Sequence, residues 1–244
     1  VPGNLPPGSD VANLAVFGYD PQIYYTGRSP LEAVSIGVPL ELTDTTFRAN
    51  LVTLSEAEEK YEEKTMVDYS SDEITTDEAE KLIQAVNEAL KTQEYEFFRG
   101  ISYRHLLVWH NKENKFSLTP PHDISDRKIT EYLPKDDVLL ALMKKSYDIL
   151  KDHPVNQDRR KRGLRPANSI WIWGNGTKPN LTTYKERFDI TGAVVSAVDL
   201  IKGIGYCAGL DVIDVPGATG NVHTNFDGKA QAAIRALQNG ADFV

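Results

Sequence analysis

Residues 193–215, which read AVVSAVDLIKGIGYCAGLDVIDV, decide the fold class of this chain. The apolar runs 193–198 and 212–215 have the composition of buried strands, and the segment 200–208 between them predicts a helix. The same alternation continues on either side, with strands predicted at 169–173 and from 241 and a helix at 227–237. Strands that alternate with helices favour a mostly parallel, doubly wound sheet covered by helices on both faces, which is an α/β fold.

The middle of the chain is organised differently. Residues 47–54 have the alternation of a strand and lead into an acidic, hairpin-like segment, and Thr75 begins an amphipathic helix whose apolar residues extend to Leu90. Strands are then predicted at 95–100, 104–110 and 116–118, followed by a helix at 136–151. We therefore expect residues 1–45 of the α/β core, an inserted α+β domain over 46–165, and a return to the core over 166–244 that stops at its last strand.

The composition excludes several classes of protein. The chain has 244 residues, of which 41% are hydrophobic, and its formal net charge of −8 disfavours non-specific binding of nucleic acid. No apolar stretch is long enough to predict a membrane span. The single cysteine, Cys207, allows no intrachain disulfide and is typical of a reducing cytoplasm, and we interpret it as a small buried side chain of the 200–208 helix.

The opening segment contains the first candidate for chemistry. In Pro6-Pro7-Gly8-Ser9-Asp10 the serine lies between a turn and an apolar helical run. Its hydroxyl is therefore placed at a helix N-terminus, where the dipole and the free N–H groups favour a phosphoryl group. A serine at this position is also an ordinary helix cap, and Ser9 alone does not decide between the two interpretations.

Motifs along the whole chain resemble one family. The first of them are Ser9 to Leu14, Gly27 to Ala33 and Phe47 to Asn50. The sequence and the order of these motifs resemble those of the archaeal-type cofactor-independent phosphoglycerate mutases of the alkaline phosphatase superfamily. The similarity continues in 119–123, 153–156, 166–168, 200–203 and 215–220. The motifs that resemble in particular a branch proposed to act as an alternative homoserine kinase are Asp68-Tyr69-Ser70-Ser71, Ser102-Tyr103-Arg104-His105 and Trp171-Ile172-Trp173-Gly174.

The resemblance implies roles for particular residues. It makes Ser9 the nucleophile that holds the phosphoryl group and a ligand of one of two divalent metal ions, Mn or Zn, whose other ligands are expected outside this chain. The substrate is a small phosphorylated molecule. The residues in family motifs that we expect to bind it are Arg104, His122, Asp123, Asn156, Arg159 and Lys202.

Other charged residues are open to two interpretations. The basic run from Arg159 to Arg162 is either a trap for an anionic substrate or a solvated loop. Arg28 and Arg48 are either substrate ligands or residues that pack at a sheet edge. A metal site that includes His223 is disfavoured, because the spacing of the neighbouring carboxylates matches no standard site.

Three interpretations of the function remain open. The chain is the central portion of a phosphoglycerate mutase that interconverts 3- and 2-phosphoglycerate through a phosphoserine, or of a homoserine kinase that uses the same serine. Taken alone, it is an inactive substrate-binding module, because only Ser9 of the expected metal shell is present. No residue decides which molecule accepts the phosphoryl group, and the oligomeric state is not indicated.

Overall fold

The computed structural model describes Leu5 and residues 8–244 of the chain, which separate into two units. One unit joins the N-terminal segment, up to Leu42, with Thr177–Val244, and the other, the inserted unit, is Thr43–Gly176. The second boundary lies after Gly176, later than the predicted residue 165, because the strand that begins at Ser169 pairs within the inserted unit. Helices and strands together make up each unit, so that the α/β class is confirmed.

The elements follow one another in a mixed order. The helices are α1 (Ser9–Val16), α2 (Pro21–Tyr24), α3 (Ser29–Ser35), α4 (Thr76–Leu90), α5 (Asp137–Leu150), α6 (Pro154–Lys161), α7 (Tyr184–Phe188), α8 (Asp199–Cys207) and α9 (Phe226–Gln238). The strands are β1 (Thr45–Leu54), β2 (Met66–Asp68), β3 (Tyr95–Phe98), β4 (Arg104–Trp109), β5 (Ser169–Thr177), β6 (Ala193–Val195) and β7 (Asp211–Ile213).

Strand β1 is the centre of the inserted unit. It pairs antiparallel with both β2 and β4, and it also pairs with β5, while β3 lies outside β4. All ten residues of β1 are buried, where the sequence pattern predicts a strand with one wet face. Phe47 is opposite Leu107 in the register, and since directly paired residues share a face, both enter the hydrophobic core on the same side.

The helices of the inserted unit cover that core face. Helix α4 buries the five apolar residues that its spacing predicts, among them Leu82 and Val86, and α5 adds Leu142 and Met143. The Thr75 hydroxyl accepts a hydrogen bond from the backbone N–H of Glu78, which is the predicted cap. Local helix signals and burial therefore agree throughout this layer.

The other unit contains the parallel strands predicted from residues 193–215. Strands β6 and β7 pair in parallel and are connected by α8, and Phe243 forms a further parallel bridge with Gly192. Helix α8 packs closely against α3: a Cβ atom on Gly203 would lie 2.0 Å from the carbonyl oxygen of Leu31. Glycine is required at this crossing, because any side chain would push the two helices apart.

Several local predictions are wrong. Residues 116–118 form no strand; instead, the carbonyl of Phe116 accepts a hydrogen bond from the Asn175 side chain. The basic run belongs to α6 rather than to a loop, and α2 and α7 are additional short helices. Ser9 is the first residue of α1 rather than its cap, because the N-cap position is occupied by Gly8.

Within the described residues, every helix is too short or too polar to pass through a lipid bilayer.

One ionisable side chain is buried in the sheet. His105 on β4 is 2% exposed, and its Nδ1 accepts a hydrogen bond from the Gly100 N–H at 3.1 Å. Burial disfavours the charged imidazolium and lowers the pKa of His105 from its usual value to about 3, with a smaller contribution in the same direction from Arg104. The folded unit therefore holds this histidine neutral.

Acidification from about pH 7 to about pH 5 is expected to destabilise the inserted unit through His105 by about 2 kcal/mol. In the unfolded chain this histidine is protonated near its ordinary pKa of 6.5, whereas in the folded chain it is protonated only near pH 3. The unfolded state therefore binds more protons across this range, and the free energy of unfolding decreases as the pH is lowered. Urea unfolding followed by tryptophan fluorescence measures the loss, because Trp109, Trp171 and Trp173 are the chain's three tryptophans.

The matched variant is His105→Gln, whose amide oxygen accepts the Gly100 hydrogen bond but does not titrate. This variant should lose that part of the pH dependence. His153, whose pKa burial also lowers, contributes equally to both proteins. Identical pH dependence in the two proteins would contradict the role assigned to His105.

Candidate functional site

Three polar side chains share the face of the sheet that points away from the core. In the register of β1 and β4, Asn50 is opposite Arg104, and Arg48 is two residues before Asn50 on the same face. Trp173 of β5 joins them: its indole Nε1 donates to Asn50 Oδ1 at 3.0 Å, and the Arg48 guanidinium lies 4.5 Å from the ring centroid. Two arginines and an indole therefore meet on one side of the inserted unit.

The position of the Arg48 side chain depends on Gly174, the residue after Trp173. Gly174 has a φ of +60°, and a Cβ at this position would come within 3.2 Å of Arg48 Cδ. A glycine both adopts this backbone conformation without strain and leaves room for the arginine stem. The Arg48 side chain is 7% exposed and therefore reaches its position through a packed environment.

Aromatic rings continue from Trp173 across this face. The His122 ring centroid lies 5.3 Å from that of Trp173 and 6.0 Å from that of Tyr69, which in turn lies 6.0 Å from Tyr103. The Arg104 guanidinium is 5.3 Å from the centroid of the Tyr103 ring. We call the group formed by these side chains the arginine–aromatic face; its members are Arg48, Tyr69, Tyr103, Arg104, His122 and Trp173.

The arginine–aromatic face has a positive charge. Its cationic side chains are those of Arg48 and Arg104, of which Arg104 is exposed. Asp123 offsets part of it, since its Oδ1 lies 3.7 Å from His122 Nε2, and both side chains are about half exposed. The exposed Arg104 guanidinium lies over the Tyr103 ring, and stacking occupies its plane but not its edge, where N–H groups form the paired hydrogen bonds that recognise carboxylate and phosphate. The arrangement is therefore suited to an anionic ligand.

Tyr69 is followed by a strained turn. Ser71, Asp72 and Glu73 have φ values of +52°, +56° and +50°, three successive left-handed residues without a glycine. Each costs an L-residue roughly 1–2 kcal/mol. The turn closes with a hydrogen bond from the Ile74 N–H to the Ser70 carbonyl at 3.2 Å, and such strain is found where the surrounding structure imposes it.

The Asp68 carboxylate holds this turn from the side of β2. It accepts the backbone N–H groups of Ser70 and Asp72, the Ser70 hydroxyl and Arg165 Nη1. Burial acts to raise the pKa of Asp68, but these four donors stabilise the charged form and bring its pKa below the usual value. The carboxylate is therefore ionised at neutral pH and fully engaged.

Asn156 and Arg159 have structural positions, contrary to their expected role in binding substrate. Asn156 is fully buried: its Nδ2 donates to the carbonyls of Leu150 and Ala167, and its Oδ1 accepts from the Ala167 N–H. The Arg159 side chain is 2% exposed and pairs with Glu78 at 2.7 Å. Their polar atoms bind the protein's own groups, so we correct both assignments.

Two further arginines of the basic run also form ion pairs. Arg160 pairs with Glu56, and Arg162 pairs with Glu78 and Asp158. Burial alone would raise the pKa of Glu78, but hydrogen bonds from Arg162 and Thr75 and the charges of the arginines bring it below its usual range. The three arginines of the run therefore pair with carboxylates of the inserted unit, Glu56, Glu78 and Asp158, rather than forming a trap for substrate.

Ser9 lies in the other unit, at the first residue of α1. Its side chain is exposed, and its hydroxyl makes no hydrogen bond within the described residues, whereas Pro6 and Pro7 lie outside them. The neighbouring polar side chains bind other groups: Asp10 accepts a hydrogen bond from the Tyr25 hydroxyl at 2.8 Å, and Asn13 donates one to the Ser9 carbonyl. An exposed hydroxyl at a helix N-terminus remains suited to bind a phosphoryl group.

Lys202 belongs to the same unit as Ser9, where it forms an ion pair with Asp214. No three histidine, cysteine, aspartate or glutamate side chains come together as a metal site in the part of the chain that the structure describes. Burial raises the pKa of the Cys207 thiol to about 11, which agrees with an unreactive side chain on α8.

The sequence interpretation missed Tyr69, Tyr103 and Trp173 as members of a site. All three lie in motifs that we relate to the homoserine kinase branch, and their shared sheet face depends on strand pairing between distant segments. Of the expected ligands in the inserted unit, Arg104, His122 and Asp123 come together. Arg48, one of two open candidates, joins them.

Known proteins similar to this chain have a common description. A family model described as 2,3-bisphosphoglycerate-independent phosphoglycerate mutase matches residues 1–156. A probable mutase of that description from Geobacter sulfurreducens is 51% identical, over 98% of this chain and 60% of that protein. One from Methanosarcina acetivorans is 50% identical, over 98% of this chain and 59% of that protein. The chain thus spans about three fifths of the length of these curated relatives.

Two solved structures are also similar. The cofactor-independent phosphoglycerate mutase from Thermoplasma acidophilum has a TM-score of 0.64 and 29% identity, over 96% of this chain and 63% of its own. A protein from Pyrococcus horikoshii has a TM-score of 0.76 and 30% identity, over 98% of this chain and 56% of its own.

Replacing Glu73 by glycine is expected to stabilise the inserted unit by roughly 0.5–1 kcal/mol, because glycine adopts the left-handed conformation without penalty. The Glu73 side chain forms no hydrogen bond or ion pair within the described residues, so no contact is lost. The control is Glu73→Ala, which removes the same carboxylate but keeps the Cβ and should leave stability nearly unchanged. Urea unfolding compares the variants, and equal stability of the two would show that the turn is unstrained.

Proposed function

Because the chain belongs to the 2,3-bisphosphoglycerate-independent phosphoglycerate mutase family, we propose that it carries the nucleophile and a substrate-binding face of an enzyme that interconverts 3- and 2-phosphoglycerate. The observation that carries the proposal is the arginine–aromatic face, where Arg48 and Arg104 share one side of the sheet. A phosphoglycerate has a phosphate and a carboxylate. The exposed Arg104 guanidinium on this face is suited to bind one of these anionic groups, and charge-assisted hydrogen bonds of this kind are the strong ones.

His122 is the residue of this face that we propose for proton transfer. Its ring is fixed between Trp173 and Tyr69 but remains half exposed, and Asp123 lies beside its Nε2. Mutase chemistry deprotonates one substrate hydroxyl and protonates the other. A half-exposed imidazole next to a carboxylate is suited to both steps.

Ser9 is the proposed nucleophile. The Ser9 hydroxyl loses its proton as its oxygen attacks the phosphorus of the bound phosphoglycerate, the bond to the substrate oxygen breaks, and that oxygen takes a proton and becomes a hydroxyl. The neighbouring substrate hydroxyl then loses its proton and attacks the phosphoserine, which returns the phosphoryl group at the other position and frees Ser9. The support for this role is an exposed hydroxyl at a helix N-terminus together with the family membership.

Two divalent ions, Mn or Zn, complete the proposal for the whole enzyme. Such ions lower the pKa of a bound hydroxyl and neutralise charge on the transferring group. The described residues assemble no metal site by themselves, so Ser9 is the ligand that we propose from this chain, with the others supplied from outside it. That this chain alone has no turnover stays a prediction. Its single cysteine supports a reducing cytoplasm as its location. Interconversion of phosphoglycerates supports glycolysis as its setting.

The homoserine kinase alternative has no observation that favours it. The relatives are named as mutases, and the branch-like motifs at 68–71, 102–105 and 171–174 contribute to an anion-binding face that serves either acceptor. The mutase is therefore the function that we propose. Assay of the complete enzyme with 3-phosphoglycerate, and with homoserine and a phosphoryl donor, separates the two.

Arg104→Ala in the complete enzyme is expected to raise KM for 3-phosphoglycerate on the order of tenfold or more, because the substrate loses a charge-assisted contact. Arg160→Ala is the matched control, since Arg160 is a paired surface residue of the same unit. It should change KM less than about twofold. Steady-state kinetics gives both values, and equal small effects would remove the arginine–aromatic face from the substrate site.

Ser9→Ala in the complete enzyme is expected to abolish formation of the phosphoenzyme while leaving the fold intact, because the hydroxyl is exposed and makes no hydrogen bond within the described residues. Acid quenching after incubation with radiolabelled 3-phosphoglycerate measures the covalent phosphate, and thermal unfolding measures the fold. Ser125→Ala, at another exposed serine, should retain full labelling. Labelling that survives in Ser9→Ala would rule out Ser9 as the nucleophile.

A further inference from the structure

The turn after β2 connects the arginine–aromatic face to the ion pairs of the basic run. Tyr69 contributes its ring to the face, and its carbonyl accepts a hydrogen bond from the Asn50 side chain at 3.3 Å. The strained residues 71–73 follow within two positions. The orientation of the Tyr69 ring therefore depends on whether this turn keeps its left-handed conformation.

The Arg159 side chain forms a hydrogen bond to the same turn. Its Nη2 donates to the Ser71 carbonyl at 2.6 Å, its Nε to the Arg165 carbonyl at 2.9 Å, and its Nη1 to Glu78 Oε2 at 2.7 Å. Each nitrogen of the guanidinium thus has a different partner, on the turn, on the segment after α6, and on α4. A lysine, with a single nitrogen, is unable to reproduce this fork.

The segment after α6, which Arg159 binds at the Arg165 carbonyl, also forms hydrogen bonds to the turn. The Arg165 N–H donates to Asp72 Oδ2 at 2.7 Å, and its guanidinium contacts Asp68, the carboxylate that binds the backbone of Ser70 and Asp72. Arg159 is therefore common to both supports of the strained residues. Arg162 shares only its partner Glu78 and touches no residue of the turn.

We propose that Arg159 is a positioning residue for substrate binding, which fixes the left-handed turn 71–73 and through it the Tyr69 ring beside His122 and Tyr103. The inference rests on the proposed function of the arginine–aromatic face. Because the Arg159 side chain is buried, it does not contact substrate directly. Its effect on binding is exerted through the conformation of the turn. Nothing in this action requires Arg159 to approach the reacting atoms.

The test compares Arg159→Lys with Arg162→Ala in the complete enzyme. Arg159→Lys is expected to raise KM for 3-phosphoglycerate about fivefold or more while kcat stays within about twofold, because binding geometry is disturbed and the nucleophile is not. Hydrogen exchange, measured by mass spectrometry on peptides that contain residues 69–74, should become faster in this variant. Arg162→Ala should leave KM and the exchange of this segment unchanged.

A rescue variant separates positioning from general loss of stability. Glu73→Gly favours the left-handed conformation without Arg159, since glycine adopts a positive φ freely. Added to Arg159→Lys, it should restore most of the KM and slow the exchange of residues 69–74. A merely structural role of Arg159 would show as a lower Tm with wild-type KM.

Each outcome decides one of the two proposals. A higher KM in Arg159→Lys that Glu73→Gly restores supports the positioning role. Faster exchange with unchanged KM, or a higher KM that Glu73→Gly does not restore, overturns it, while a raised KM in Arg104→Ala leaves the proposed function standing. If Arg104→Ala and Arg159→Lys both leave KM unchanged, the arginine–aromatic face is not the substrate site, and the positioning role falls with it.

Discussion

The pairing of β1 with β4 is the constraint on which the inserted unit depends. Successive side chains of a strand point to opposite faces, so that a register shift of one residue would exchange every side chain between the two faces. Phe47 and Leu107 would leave the core, and Arg48, Asn50 and Arg104 would enter it. Burial of unpaired charge costs far more than any contact that the shift would gain. The same register therefore builds the core and places the two arginines together.

The elements with strong local signals were predictable from the sequence. Helix α4 has both its cap at Thr75 and its apolar spacing within fifteen residues, and the parallel pair β6 and β7 follows from two short apolar runs with a helix between them. The inserted unit's second boundary was not predictable in this way. The sequence of β5 reads as a strand of the α/β core, and only its pairing with β1 assigns it to the inserted unit.

In the candidate site, too, features that depend on tertiary structure were not predictable from the sequence. Burial of both faces of β1 is a tertiary property, so Arg48 and Asn50 read as an ordinary polar face in the sequence. The turn at 71–73 has neither glycine nor asparagine, the residues that most readily adopt the left-handed conformation. Arg159 and Arg162 belong to one basic run and both pair with Glu78, yet their side chains are 2% and 47% exposed, a difference that the sequence of the run does not show.

The strain in the turn explains why an effect at Arg159 is expected to stay local. One hydrogen bond to a charged group contributes roughly 1.5–3 kcal/mol, which is comparable to the cost of one or two left-handed residues. Removal of the guanidinium fork therefore lowers the stability of the turn conformation much more than that of the sheet, because a continuous core holds the strands of the sheet. The turn relaxes before the unit unfolds, and the first side chain to move is the one attached to it, Tyr69. Strain stored next to a binding face is thus a means by which a buried residue controls the geometry of an exposed one.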